Sequence, residues 1–149
     1  MTSSSTSKPN WKFIAGIVFG TIVGFLLVQQ LFFSTEEPIN YDAVLEKSAE
    51  EVNRNCPMMV DDETQLVNAE ALPGKVFQYN YKLIRMKKEG VNIDEIKRIL
   101  EPNIMRVVAR NPELKNFRDN GVTMAYQYKD MDGEYLFEIK VTPEQYANK

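Results

Sequence analysis

Cys56 is the one conventional nucleophile of note in a chain of 149 residues that contains no histidine. A catalytic thiol needs a neighbouring base to become thiolate, and histidine is the commonest one. Arg54 stands close in sequence but cannot accept a proton. Cys56 therefore reads as a small, partly buried thiol at a helix end, with a mixed disulfide or redox role as the sharper alternative. As the single cysteine it excludes an intrachain disulfide. It is not a lipobox cysteine either, because the residues before it, Asn53-Arg54-Asn55, are polar.

Two acidic clusters raise the question of a cation. Asp61-Asp62-Glu63 is too dense and too short for a calcium loop, which needs more oxygen ligands at fixed spacing. Asp130-x-Asp132-Gly133 stops after the first few positions of that pattern and reads as a hairpin turn. No metal and no cofactor is expected, and no pair of carboxylates is singled out for hydrolysis.

Two further groups concern binding. Tyr79, Tyr81, Tyr126 and Tyr128 recur at two-residue spacing, as on sheets that stack single-stranded RNA. Core packing with cross-strand aromatic pairs explains that spacing adequately, with a peptide or small-ligand groove as the alternative. Lys82, Arg85, Lys87 and Lys88 concentrate positive charge at the end of a strand. They form either a solvated turn or a surface for an acidic partner or lipid head group.

These residues must be positioned by the elements around them. Asn40 reads as an N-cap, and Tyr41, Val44, Leu45, Ser48, Ala49 and Val52 follow at helical spacing up to Pro57. Cys56 to Val60 is a short apolar segment. Thr64 to Leu72 predicts a strand, Pro73-Gly74 a turn, and Val76 to Met86 the clearest strand, so the two should form a hairpin. A second helix starts at Asn92 or Asp94 and carries Ile96, Ile99, Leu100, Ile104, Val107 and Val108 on one face. Pro102 falls inside it and predicts a kink or a break. Asn111-Pro112 opens a short helix that ends at Asn120-Gly121. Strands around Val122–Tyr128 and Tyr135–Val141 form a second hairpin, and Thr142 caps a last helix. The expected fold is α+β: a four-stranded, mainly antiparallel sheet with helices packed on one face.

Ahead of that domain stands Phe13 to Phe33, a run without charge whose only polar residues are Thr21, Gln29 and Gln30. About 20 apolar residues suffice to cross a bilayer, so an N-terminal transmembrane helix is expected. The run exceeds a signal-peptide core and is followed by Ser-Thr-Glu-Glu-Pro rather than a small-residue cleavage site, which favours an uncleaved signal anchor. Lys8 and Lys12 precede it and put the N-terminus in the cytoplasm. The chain then divides into a disordered cytoplasmic tail (1–12), the span (13–33), a linker (34–39) and an extracytoplasmic domain (40–149) at the cytoplasmic (inner) membrane. Gly16, Gly20 and Gly24 lie on one face of the span, where close helix packing calls for small residues. All 21 acidic residues follow the span, against 16 of the 18 Lys and Arg, for a formal charge of −5. That balance argues against nucleic acid.

The segments N-R-N-C-P-M-M-V-D-D-E-T-Q-L, A-L-P-G-K-V-F-Q-Y-N-Y-K-L and F-R-D-N-G-V-T-M-A-Y-Q-Y resemble a group of small bacterial envelope proteins of uncharacterised function. The likeness runs from about Leu45 to Tyr146. It implies a bacterial source, an N-terminal membrane or export segment and one α+β domain, and it brings no catalytic residues with it.

The expected function is a non-enzymatic, single-pass anchored domain that binds a protein partner, a peptide or a small ligand outside the cytoplasm. A second reading makes the chain an accessory subunit of a membrane complex, assembled or self-associated through the glycine face. A small envelope enzyme using carboxylates or Cys56 ranks third.

Overall fold

The computed structural model describes residues 40–147. Asn40 caps the first helix, its side-chain oxygen accepting the N–H of Asp42 at 3.2 Å. Helix α1 (Tyr41–Asn53) then buries Val44, Leu45, Ser48 and Ala49 and turns Glu46, Lys47 and Glu50 to solvent. The Ser48 hydroxyl, which would be costly to bury alone, donates to the Val44 carbonyl at 2.8 Å.

Five strands follow: β1 (Met58–Met59), β2 (Thr64–Leu72), β3 (Val76–Leu83), β4 (Thr123–Lys129) and β5 (Tyr135–Val141). They form one sheet in the order β1-β2-β3-β4-β5. The β1–β2, β2–β3 and β4–β5 pairs are antiparallel, and β3–β4 is parallel. This corrects the expected four-stranded, mainly antiparallel sheet on two counts. The apolar segment at Met58–Met59 adds an edge strand to β2. The two hairpins also join side by side in parallel, because the chain from β3 to β4 crosses over through α2 (Ile93–Arg110) and α3 (Lys115–Asp119). A crossover of that length returns the chain to the same end of the sheet, which is what parallel pairing requires. Alternation along a strand reports its faces and says nothing of its direction.

Register sorts the two faces. Ala69, Tyr79, Tyr126 and Ile139 lie in one row across four strands, and Asn68, Asn80, Gln127 and Glu138 in the next. The first row belongs to the core with Phe77, Tyr81, Met124, Tyr128, Phe137 and Val141. The second face is polar, and a chain of amides runs along it: Gln78 donates to Asn80 and Asn80 to Asn68, each at 2.8 Å. In β2 the register slips between Leu66 and Asn68, and Val67 bulges into solvent.

Helix α1 packs on β2, while α2 packs on β5 and on a last helix, α4 (Pro143–Ala147). They send Leu45, Ala49, Ile96, Leu100, Ile104 and Val108 into the core that holds the aromatic rows. Pro102 does not break α2, which continues from Ile93 to Arg110. The proline sits on the exposed side of the helix, where the carbonyl it fails to serve can face water, and Asn103 donates to the Ile99 carbonyl at 2.9 Å. Gly121, with φ +67°, ends α3 in the left-handed conformation that glycine adopts at no steric cost. Among the described residues, no helix is long and apolar enough to cross a membrane. The expected span at 13–33, with Gly16, Gly20 and Gly24, lies outside them.

Candidate functional site

One end of the sheet gathers most of the charged residues singled out above. Three segments meet there: the acidic turn before β2, the residues following β3, and the β4–β5 turn. Asp130 ties two of them together. Its Oδ1 accepts the N–H groups of Asp132 at 2.9 Å and Glu134 at 2.8 Å, and its Oδ2 accepts that of Lys88 at 3.1 Å. Gly133, with φ +89°, lets the turn close around this carboxylate. Burial, which leaves Asp130 only 2% exposed, works to raise its pKa. The backbone donors of Glu134, Lys88, Asp132 and Gly133 outweigh it and hold the carboxyl below its ordinary range.

Around this hub, basic and acidic side chains alternate. Lys87 Nζ meets Asp132 at 3.0 Å, Lys88 meets Glu134 at 4.0 Å, and Arg85 meets Glu63 at 3.9 Å. The hydrogen bond and charge of Asp132 hold the Lys87 ammonium above its ordinary pKa. Lys82 lies one step back on β3, in register with Gln65 of β2 and Lys129 of β4. The four basic residues predicted as a partner surface thus share one end of the molecule, three of them facing carboxylates. Glu63 is half-buried and the other five groups of these pairs are largely exposed, so each pair adds little stability and their pattern of sign is the more informative feature.

Cys56 and the tyrosines fall elsewhere, and the acidic turn keeps its own geometry. Cys56 is half-buried and packs against the core, where burial pushes its thiol pKa up and so lowers the thiolate fraction. Asp61 uses Oδ1 to accept the N–H groups of Glu63 and Thr64, both at 2.8 Å, which makes the acidic segment a turn. Among the described residues, no three His, Cys, Asp or Glu side chains gather as a metal site. The tyrosines lie inside. Tyr79 and Tyr126 stack at 5.4 Å, Tyr81 and Tyr128 at 5.2 Å, and Tyr128 and Phe137 at 4.8 Å. Burial raises the pKa of Tyr79, Tyr126 and Tyr128; the carboxylate of Glu113 adds to it for Tyr79 and that of Asp61 for Tyr128. These rings are core, not an open stacking platform.

Sequence reasoning passed over two places. Asn53 reaches from the end of α1 to the edge of β2; nothing in its neighbourhood in sequence signals that contact. On α2, a depression of about 340 Å³ is lined by Pro102, Asn103, Arg106, Ala109 and Arg110. Its signal was present as two arginines four residues apart with no acidic residue between Glu101 and Glu113.

A five-stranded mixed sheet in which α1 and α2 contribute to one aromatic core, with an ion-paired turn cluster at one end, defines an α+β domain. The chain belongs to the family described as a domain of unknown function (DUF8479), whose model matches residues 40–137. No curated protein matches it in sequence. Three solved structures share the fold. A Pseudomonas aeruginosa protein described as secreted is 10% identical with a TM-score of 0.56, over 73% of this chain and 98% of its own. The type II secretion system pilotin AspS of Vibrio cholerae is 14% identical with a TM-score of 0.54, over 71% of this chain and 92% of its own. EpsS, a pilotin of the Vibrio vulnificus type 2 secretion system, is 9% identical with a TM-score of 0.55, over 70% and 90%.

Proposed function

We propose that this protein is a non-enzymatic interaction domain of the bacterial cell envelope, working outside the cytoplasm on a protein partner. The observation that carries the reading is the fold shared with two secretion-system pilotins across at least 90% of their chains. A chain without histidine, whose one cysteine has a raised pKa, is poorly equipped for acid–base or nucleophilic work, which favours binding over catalysis.

In this reading the apolar stretch 13–33 holds the domain at the inner membrane, with residues 1–12 in the cytoplasm and 34–39 as the linker. The end of the sheet carrying Lys82, Arg85, Lys87 and Lys88 faces the partner. Alternating signs at an interface set register and reject wrong partners more than they add affinity. A photo-crosslinking residue placed at Arg85 in intact cells should capture one envelope protein, and the same residue at Lys47, on the exposed side of α1, should not. Failure to capture any protein from either position tells against the reading.

The glycine pattern favours a second reading, an accessory subunit assembled through the span. Gly20→Ile would fill the middle of the glycine face while leaving the span apolar. It should lower self-association or capture of a partner helix, with Gly20→Ala milder and Ile22→Leu as the neutral control. Equal crosslinking yields for all of them would leave the outer domain to act alone.

A further inference from the structure

The exposed basic residues of this protein differ in whether a carboxylate answers them. Arg85, Lys87 and Lys88 each stand opposite a carboxylate. Arg106 and Arg110 do not: among the described residues, neither has a carboxylate within ion-pair distance, and both are exposed. They are four residues apart on α2, so their side chains rise from the same helix face about 5–6 Å apart at Cβ. Both line the depression of about 340 Å³, whose remaining wall is Pro102, Asn103 and Ala109. Asn103 Oδ1 accepts from Arg106 Nη2 at 3.0 Å and so holds that guanidinium over the depression's edge. The first half of α2 balances Lys97 and Arg98 against Asp94, Glu95 and Glu101, whereas the half from Pro102 on carries arginine alone. In a chain of formal charge −3, this is a local reversal of sign.

We infer that the outer face of α2 at Pro102–Arg110 is a binding site for an acidic peptide segment of a partner protein. The two guanidinium groups present planar, paired donors matched to carboxylates. Pro102 and Ala109 add apolar surface to the lining, which suits the aliphatic stem of a glutamate and an apolar neighbour better than a bare phosphate. Membrane lipid is the less fitting occupant, because head-group binding favours clusters of four or more basic residues and this face has two. The site is separate from the charged end of the sheet, and it rests on the interaction reading above only in taking its ligand to be protein.

The test uses the full chain in neutral detergent and a labelled, end-blocked hexapeptide of alternating leucine and glutamate. Fluorescence anisotropy should show binding that weakens with salt. The double variant Arg106→Gln/Arg110→Gln should raise Kd by about tenfold or more, the effect of losing a charge-assisted contact. A control that removes two positive charges elsewhere, Lys47→Gln/Arg54→Gln, should leave Kd unchanged, as should exchanging buffer chloride for phosphate at equal ionic strength. The leucine–glutamine peptide should not bind. Equal affinity for wild type and double variant, or no binding at all, overturns the inference. So does tight binding of inorganic phosphate, or of phosphatidylglycerol vesicles, that the double variant abolishes while the peptide remains unbound. If the in-cell crosslink from Arg85 forms while the peptide fails to bind, this site fails and the interaction reading stands; if no crosslink forms in wild type, that reading fails by itself.

Discussion

The side-chain amide of Asn53 pairs with both backbone groups of Ala69, its Nδ2 donating to the carbonyl at 2.9 Å and its Oδ1 accepting the N–H at 2.7 Å. A residue at the end of α1 thereby does for the edge of β2 what a peptide unit of a neighbouring strand would do. Strand β1 reaches only as far as Leu66, so beyond it the edge would otherwise stand open to pairing with another chain. Asn53→Ala should cost about 1–3 kcal/mol, the range for stranding partly buried hydrogen-bonding groups. Asn53→Asp keeps the acceptor for the Ala69 N–H but turns an anionic oxygen on the Ala69 carbonyl, so it should not restore the loss. Urea unfolding measures both, and light scattering at raised concentration should show more association for the alanine variant.

Asp130 predicts an acid limb. Its folded pKa is held below the ordinary carboxylate value of 3.8, so the stability it contributes is complete above that value and is lost as pH falls below it, through the folded pKa. Asp130→Asn keeps one oxygen acceptor but loses the charge that three backbone N–H groups face. The variant should be less stable than wild type near neutrality, and the gap should narrow as pH falls below about 4. Thermal melts between neutral and strongly acidic pH would check this, and a gap independent of pH would contradict it.

The tyrosine stack sets the alkaline limb. Tyr79, Tyr126 and Tyr128 have pKa values raised above 10.0 by burial, so they stabilise the fold fully below that pH and withdraw the contribution as pH climbs past it. Tyr128→Phe should keep the stacks on Tyr81 and Phe137 and extend the stable range upward. Tyr128→Ala should cost about 3–5 kcal/mol, because it removes a ring from a closed core. Tyr41, pushed up to about 12 by burial, should contribute to the same limb.

Pro102→Ala should stabilise the domain by about 1–2 kcal/mol. A proline in a helix interior costs about 3 kcal/mol, and stiffening of the unfolded chain offsets about 1 kcal/mol of it. The gain should appear as a higher urea midpoint with an unchanged slope. A loss of stability would mean that the exposed ring packs against something on that face.

Much of this architecture was legible in the sequence because it is local. Asn40 as a cap, the apolar stripes of α1 and α2, the alternation of Phe77 to Leu83 and the turn at Asp130–Gly133 follow from spacings of two or three to four residues and from side chains that bond their own backbone. The capping exchange at the last helix is of this kind as well, with Gln145 Oε1 accepting the N–H of Thr142 at 2.8 Å. Strand β2 was harder to read, since the bulge at Val67 moves the core face from Thr64 and Leu66 to Ala69 and breaks the alternation halfway.

Local spacing in the chain is enough to mark the apolar faces and the helix starts, and the residue list alone removes histidine chemistry. The parallel run of β3 and β4, the place of Met58–Met59 in the sheet and the closing of its edge by Asn53 emerge on folding, because each depends on partners far apart in the chain. The same holds for charge. Lys87 and Arg110 are equally basic as letters, and what separates them is position in space: the β4–β5 turn brings Asp132 to within 3.0 Å of Lys87, whereas the exposed face of α2 brings no described carboxylate to Arg110. A sequence counts charges; the fold determines which of them are answered.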